Sequence, residues 1–588
     1  MMIRKFIYLA ATGLCLTLSA CMDGFLDRKP MDIISDADVW GNESAILAYV
    51  AGMYDRVQME PHAWETAEVG FQTHYTDESL RCYSWGIRYT PTFPDNDFAS
   101  WEYSKVRTIN EFIEKIADAA ISQSSKDRYL AEAYFLRAFN YFVMAKRYGG
   151  VPLIEDAQKY ENGNIDNLKV PRSTEEETWN FIAEDLDRAI AGLPEATTGS
   201  EQFRATRYAA YALKSRAMLY AASIARYGSV QLDGLVGIPA DRANGYFGLS
   251  LAASEVIINS GKYSLYDRDA NNRAANFQNL FTDQTMHEEA IFGRAYSADK
   301  AHSFDFYNAP QSFKVSYGNQ IGPTLDLVEA FEYTDGRPGI LVTDDADGNP
   351  IYYDSPEDIF EGKDPRFFGT VLYPNSPWQN GTIVIRRGII GSDGVKVAAA
   401  AYSNVFSEDP SYTLAGKDGM PLGGDATRTG FLLKKYLDPV NIRVPQNRST
   451  TNFIVFRYGE TLLNYAEAAV ELNRPADAMP RLNEVRNRAG IQPKTSVTMD
   501  DIRQERRVEL AFENLRYWDL VRWRTATQVM NNTVFRALLP WLDYATGKYV
   551  FEKGPNTLNS AKTFLDKNYY QPIPNVAQNE VLIQNPGF

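Results

Sequence analysis

Cys21 is the side chain whose neighbours specify a reaction most narrowly. It follows Leu18-Ser19-Ala20, small residues set behind Arg4, Lys5 and an apolar run from Phe6 to Leu16. That run ends short of the roughly 20 residues a membrane-spanning helix needs. A lipoprotein signal peptidase requires this order: small side chains enter its cleavage pocket, and the cysteine thiol carries a diacylglycerol. Residues 1–20 are therefore expected to leave as a signal peptide, with Cys21 lipidated. An ordinary leader with an incidental Cys21 is the alternative. Each buried methylene contributes about 0.8 kcal/mol, so three acyl chains anchor firmly where one does not.

Three other sets of residues could do chemistry. Acidic pairs come first, because hydrolysis of a glycosidic bond needs two carboxyl groups roughly 5–10 Å apart. Asp77-Glu78, Asp95 and Asp97 lie among aromatic residues, but no spacing distinguishes them within 75 acidic side chains. Next, Thr343-Asp344-Asp345-Ala346-Asp347-Gly348 with Asp354 half-matches a calcium loop. Thr343 and Asp354 stand where such a loop has Asp and Glu, so a turn on Asp347-Gly348 is the preferred reading; calcium has no support and no cofactor is expected. Third, aromatic and polar residues alternate from His74-Tyr75 through Tyr83, Trp85, Arg88, Tyr89, Phe93, Asp95 and Asn96 to Trp101. Sugars present apolar C–H faces and equatorial hydroxyls, which suit such a mixture. Trp101, where helical periodicity begins, reads as core. Trp85, between Ser84 and Gly86, reads either as a projecting platform or as a core plug.

The composition excludes several classes. A net charge of −15, two units more acidic once Arg4 and Lys5 are removed, lacks the basic footprint that nucleic acid or anionic lipid requires. The four histidines (His62, His74, His287, His302) form no HExxH pattern, which argues against a zinc enzyme. With Cys15 cleaved and Cys21 lipidated, Cys82 has no disulfide partner. Thirty-six tyrosines and nine tryptophans suit a surface that makes many amphipathic contacts.

The elements that must position these residues follow from periodicity. Apolar residues at helical spacing predict helices over 126–148, 173–192 (Ser173 and Glu176 as a capping box), 206–227 and 250–259. A second group is predicted over 458–472, 475–489, 500–514 and 516–525. Between them, residues 262–457 are dense in turn signals, with short β-like runs such as Thr382-Ile383-Val384-Ile385. The predicted fold is mainly α: a degenerate tetratricopeptide-like scaffold of helix pairs carrying a long, loop-rich, partly β insertion. Residues 21–588 form one domain in this reading: an N-terminal helical part (21–261, with loop 60–100), the insertion (262–457) and a C-terminal helical part (458–588). Recognition is expected on the insertion and on loop 60–100.

Several segments, in order along the chain, resemble the SusD/RagB-like family of outer-membrane nutrient-binding lipoproteins. They are Cys21-Met22-Asp23-Gly24-Phe25-Leu26-Asp27 with Pro30, and Ala131 to Ala138 (AEAYFLRA) running on to Gly149-Gly150-Val151-Pro152. Further on come Arg457 to Leu463 (RYGETLL), Asn483 to Gly490 (NEVRNRAG), Glu505 to Glu513 (ERRVELAFE), Pro572-Ile573-Pro574 and Gln584-Asn585-Pro586-Gly587-Phe588. Without the family, Arg137, Arg486, Arg506 and Arg507 read as structural partners of Glu132, Glu467, Glu505 and Glu509 that fix helix register. The resemblance implies a cell-surface protein, lipid-anchored at the outer membrane, that binds an oligosaccharide or polysaccharide without cleaving it. Its implied partner is a SusC-like TonB-dependent transporter; the acidic charge argues against nucleic acid, and membrane contact is expected through the anchor only. It also implies a ligand site on the loop before a helix bearing Ile109-Asn110 and on the segment after a strand at Ala290-Ile291-Phe292. The ligand contacts so implied are Tyr75, Trp85, Arg88, Asn96, Tyr296 and Tyr307, with Phe306 alongside. A peptide-capturing relative and a glycoside hydrolase on a helical scaffold are the rival readings.

Overall fold

Helix signals and caps account for most of the architecture. The computed structural model describes residues 39–59, 72–82, 98–161, 163, 165–557 and 561–588. Cys21, Trp85, Arg88, Asn96, Asp95 and Asp97 lie outside them. Asn42 caps α1 (Glu43–Arg56), and after strand β1 (Ser79–Arg81) comes α2 (Tyr103–Ile116). Ser122 caps α3 (Gln123–Tyr148) by accepting from the Ser125 N–H. A capping box opens α4 (Glu175–Gly192), formed by Thr174 and Glu177 rather than by Ser173 and Glu176. The shift has a tertiary cause: the Ser173 N–H is held by the Val151 carbonyl at 3.2 Å, which leaves Thr174 as the first residue free to cap.

Thr206 caps α5 (Arg207–Tyr227), and α6 (Ala243–Asn259) starts seven residues before the predicted helix. The insertion contains one helix of three turns, α7 (Arg273–Thr282), which the sequence reading missed. Strands β2 (Ala290–Arg294), β3 (Ile321–Pro323), β4 (Gly388–Ile390), β5 (Lys396–Ala398) and β6 (Phe453–Arg457) follow. The β-like run at 382–385 is mostly irregular, with a strand only at Gly381–Thr382. Then come α8 (Tyr458–Glu471), α9 (Pro475–Ala489), α10 (Met499–Glu509) and α11 (Arg516–Arg522). Gly490, at φ 76°, closes α9 in the left-handed conformation that a side chain disfavours. The chain ends beyond β7 (Arg536–Asp543) and β8 (Tyr549–Pro555).

The helices pack in series, α3 on α4, α4 on α5, α5 on α6, and α6 directly on α8, so the two helical groups form one continuous stack. The fold is thus mainly α and tetratricopeptide-like, as the sequence predicts. Small residues make the close approach: Ala209, Ala210, Ala217, Ala221 and Ala222 of α5 are all fully buried. β2 pairs antiparallel with β6 and ties the insertion to the start of α8. The C-terminal part is not purely helical. β7 and β8 form a hairpin, and β7 runs parallel to β4, giving a sheet in the order β8-β7-β4-β5.

The buried charges serve this packing. Arg137 makes a bidentate pair with Asp185 at 2.7 and 2.8 Å, rather than with Glu132, and also donates to Asn110. Glu132 accepts from Arg204 instead. Arg486 pairs with Glu505, Arg506 with Asp519 and more loosely with Glu467, and Arg507 with Asp77. Glu509 is the densest junction: it accepts from Arg366 and Arg457, at 2.8 and 2.7 Å, and from Arg488. All four side chains are buried. The role expected for these residues holds, with several partners exchanged. Among the described residues, no helix is long and apolar enough to cross a membrane.

Candidate functional site

Cys82 and Phe98, the described residues that flank 83–97, are both fixed in the fold. β1 pairs with β3, and the Cys82 N–H extends the ladder by donating to the Gln320 carbonyl at 3.4 Å. The Cys82 thiol points to the Gly318 carbonyl, and Arg428 donates to the Cys82 carbonyl at 2.9 Å. Cys82 itself is buried, and burial raises its pKa, so it carries no thiolate chemistry. At the other flank, Arg147 donates to the Phe98 carbonyl at 2.5 Å.

Beside Cys82 stands a cluster of three rings. Phe306 and Tyr307 lie on a one-turn helix, Phe304–Asn308, and Tyr317 on the following loop. Their centroids are 5.0 Å (Phe306–Tyr307), 5.7 Å (Phe306–Tyr317) and 5.9 Å (Tyr307–Tyr317) apart, a packing range in which edge and tilted contacts are favourable. The Gln320 N–H donates to the Tyr307 carbonyl at 3.0 Å, so the cluster sits one backbone hydrogen bond from the residue that receives Cys82. Tyr317 is 45% exposed, whereas Phe306 and Tyr307 are buried beneath it. Gly318 makes this placement possible, because a Cβ there would come within 2.4 Å of the Ala309 carbonyl oxygen.

The support beneath the rings is polar and specific. Gln446 donates to the Tyr307 hydroxyl at 3.1 Å. Ser303 donates to Asn447, and the Asn447 N–H donates back to Ser303. His302 and Ser449 exchange backbone hydrogen bonds, and the Ser449 hydroxyl accepts from the Asp305 N–H. Burial pushes Asp305 up to about 6, although its carboxylate accepts from the Asp438 N–H. Lys314 pairs with Asp425 at 2.9 Å near Cys82.

Tyr296 occupies a neighbouring position. Its ring meets His302 edge-on at 4.5 Å and carries Arg294 over it at 5.4 Å. Arg294 in turn lines a cavity of about 470 Å³ between α1 and β2, with Tyr54, Asp55, Phe203, Arg204 and Lys300. The charges there are paired: Lys300 and Arg294 with Asp55, and Arg204 with Glu132 and Glu201.

Of the ligand contacts that the sequence suggested, Tyr307 and Tyr296 fall in this neighbourhood, although both are largely buried. Tyr75 does not: it is in the core, its ring 5.1 Å from Phe98, which stacks on Tyr517. Burial on every side removes it from the set of contacts. Asn110 is likewise structural, donating to the Ile154 carbonyl while accepting from Arg137. Tyr317 was missed. Its signal was present, since Ser316-Tyr317-Gly318 repeats the serine-aromatic-glycine pattern of Ser84-Trp85-Gly86.

The acidic pair Asp77-Glu78 has a split that proton-transfer chemistry could use. Burial alone would raise Asp77, but Arg507 and Arg516 outweigh it and hold the carboxyl well below the usual range. Burial carries Glu78 up to about 8, against a hydrogen bond from the Phe512 N–H. Both side chains are buried and engaged with α10, α11 and the link between them, so their role is to fix that corner. The half-matched calcium loop is a turn: Asp345 exchanges backbone hydrogen bonds with Asn349 and Gly348, and its carboxylate accepts from the N–H groups of Asp347 and Asn349. Among the described residues, no group of His, Cys, Asp or Glu is arranged to hold a metal ion. The arrangement at Tyr317 can offer ring faces and side-chain amides to a ligand, which is chemistry of binding.

The chain is similar to a SusD-like protein of Bacteroides ovatus, 25% identical over 541 residues that cover 88% of this chain and 82% of the relative. It is also similar to a SusD-like protein P38 of Formosa agariphila, 25% identical over 90% of this chain and 93% of that one. Among solved structures, a SusD-like protein from Bacteroides fragilis superposes with a TM-score of 0.69 at 26% identity, covering 95% of this chain and all of that one. A SusD-like carbohydrate-binding protein from the same species shares the fold, with a TM-score of 0.69 at 22% identity, over 92% and 99% of the two chains. Residues 24–219 match a family model described as starch-binding associating with outer membrane, and residues 288–588 match one described as SusD family. Matched from residue 288 to 588, just over half its length, the chain belongs to the SusD family.

Proposed function

We propose that this chain captures oligosaccharides at the outer face of the outer membrane, held there by lipid on Cys21, and passes them to a SusC-like TonB-dependent transporter. The observation that carries the reading is the ring cluster of Phe306, Tyr307 and half-exposed Tyr317 beside Cys82, the residue that precedes 83–97 in the chain. That segment supplies Trp85, Arg88 and Asn96, the aromatic and polar residues suited to a sugar's C–H face and hydroxyls. The starch-binding, outer-membrane description matched by residues 24–219 supports the same ligand class and location.

Binding should occur without turnover. Titration of the mature chain against a glycan panel should find an oligosaccharide ligand whose length, followed by chromatography, stays unchanged on prolonged incubation. A defined shorter product, lost on mutating Asp95 or Asp97, would make the protein a hydrolase. Saturable binding of peptides with none of glycans would return the peptide-capturing reading.

The anchor has its own check. Cys21→Ala should abolish incorporation of radiolabelled fatty acid and leave the protein unprocessed or released. Continued labelling and outer-membrane partitioning of the variant would place the anchor elsewhere.

A further inference from the structure

We propose a second saccharide site, selective for a carboxylate-bearing sugar, in the cleft where the C-terminal ends of α5 and α11 meet the C-terminal tail. The cavity is about 730 Å³, larger than the one between α1 and β2, and shares no lining residue with it or with the ring cluster at Tyr317. Arg524 is one of its lining residues. The guanidinium lies over the rings of Tyr569 and Tyr570, 4.9 and 5.0 Å from their centroids. It donates to the Tyr570 hydroxyl at 2.7 Å and to the Val521 carbonyl at 3.1 Å. The Tyr569 hydroxyl is fixed in turn by the Thr527 N–H and hydroxyl, at 3.2 and 2.9 Å. The cationic fork and two tyrosine rings are therefore in place before a ligand arrives, which lowers the ordering cost of binding.

Two features of Arg524 bear on the site. Arg366, Arg457, Arg486, Arg506 and Arg522 each pair with a carboxylate. Arg524 has no carboxylate of a described residue within ion-pair distance. Glu175, behind Tyr570, accepts instead from the Tyr570 hydroxyl and from the Gly237 and Trp179 N–H groups. The Arg524 charge favours the buried Glu175 carboxylate through space, without an ion-pair contact. Moreover, Arg524 has φ 57°, the left-handed conformation at a helix C-terminus that glycine adopts with least strain.

The chemistry matches an acidic sugar. A guanidinium can form a paired, charge-assisted contact with a carboxylate. Tyrosine faces accept the C–H side of a pyranose, and Ser229 and Gln231 at the rim can exchange hydrogen bonds with its hydroxyls. Asp566 is the one carboxylate among the described lining residues, and Lys567 stands beside it. This proposal takes only the saccharide class from the function proposed above and is independent of the site at Tyr317.

Trigalacturonate and its methyl ester, titrated calorimetrically into the full mature chain in detergent, test it directly. The acid should bind about tenfold or more tighter than the ester, as expected for one desolvated charge-assisted contact. Arg524→Gln should reduce that ratio to about one. Because Arg524 also braces the tyrosines, Gln528→Glu provides a second test: it adds a carboxylate at the exposed rim without touching the brace. It should weaken the acid and spare the ester. Tyr317→Ala should change neither, so failure of the first site would not imitate failure of this one. Equal affinity for acid and ester, no binding of either at millimolar concentration, or an unchanged ratio in folded Arg524→Gln would overturn the proposal. So would a preference for a sulfated disaccharide over the acid.

Discussion

Glu509→Ala is expected to cost about 3–5 kcal/mol of stability, read as a lower urea midpoint with the slope of the transition unchanged. The magnitude comes from what stays behind. Glu509 accepts from Arg366, Arg457 and Arg488, all buried, and its removal leaves three guanidinium groups short of one negative charge in a medium that solvates them poorly. Asp364, Glu289, Glu505 and Glu513 still neutralise part of that charge, which keeps the loss from being larger. Glu509→Gln should recover shape but not charge, and so only part of the loss. Glu111→Ala, which breaks an exposed pair with Arg107, should be inseparable from the wild-type curve.

The same junction predicts a pH dependence. Burial alone would raise the Glu509 carboxyl, but attraction from Arg488, Arg457 and Arg366 outweighs it and holds the group well below 4.5. A carboxyl depressed on folding contributes stability that is present above its unfolded pKa and is lost as pH falls through the folded value. Acid unfolding of Glu509→Gln should therefore be shallower below about pH 4.5 than that of the wild type. Parallel acid curves would show that neighbouring carboxylates carry the linkage.

Tyr317→Ala should weaken capture of the oligosaccharide about 5- to 150-fold while leaving the melting temperature unchanged. The estimate takes about 1–3 kcal/mol for losing one stacked ring face, by analogy with aromatic stacking on nucleic-acid bases. Tyr307→Ala should behave differently, since that ring lies beneath Tyr317 with its hydroxyl held by Gln446 and its truncation opens a cavity. Trp85→Ala should match Tyr317→Ala if the two rings face one ligand, and the double variant should then lose less than the sum of the single losses. Unchanged affinity in Tyr317→Ala, measured by calorimetry on a folded variant, would move the site toward Tyr296 and the cavity beside it. Unchanged affinity with a sharply lowered melting temperature in Trp85→Ala would return that tryptophan to the core.

Much of the scaffold was legible because helices announce themselves locally. The apolar spacing from Tyr129 to Ala145, the stop at Gly149-Gly150, Pro475 at the start of α9 and Gly490 after it all act within one or two turns. Elements were missed where that signal was weak or misleading. β7 reads as Arg-Ala-Leu-Leu-Pro-Trp-Leu-Asp with most positions buried, so it shows no alternation, and Pro540 argues against a strand. The helix predicted over 500–514 stops at Glu509 because Phe512 and Asn514 take positive φ, with the Phe512 N–H turned to Glu78. That partner is more than 400 residues away, beyond any local rule.

The candidate site divides along the same line. Residue types and neighbours determined that Trp85 and Tyr317 are aromatics on turn-prone backbone, that the arginines of α9 and α10 seek carboxylates, and that Cys21 follows small residues. Only the tertiary structure decided that Cys82, Gln320 and Arg428 meet, which brings Tyr317 beside Cys82. It alone set Tyr75 against Phe98, paired Arg137 with Asp185 rather than Glu132, and placed Arg524 over Tyr569 and Tyr570. Periodicity and capping are interactions between residues a few positions apart, and they fix which face of an element is apolar. Which surfaces then meet depends on shape and charge satisfied between elements hundreds of residues apart, and no short stretch of sequence contains that information.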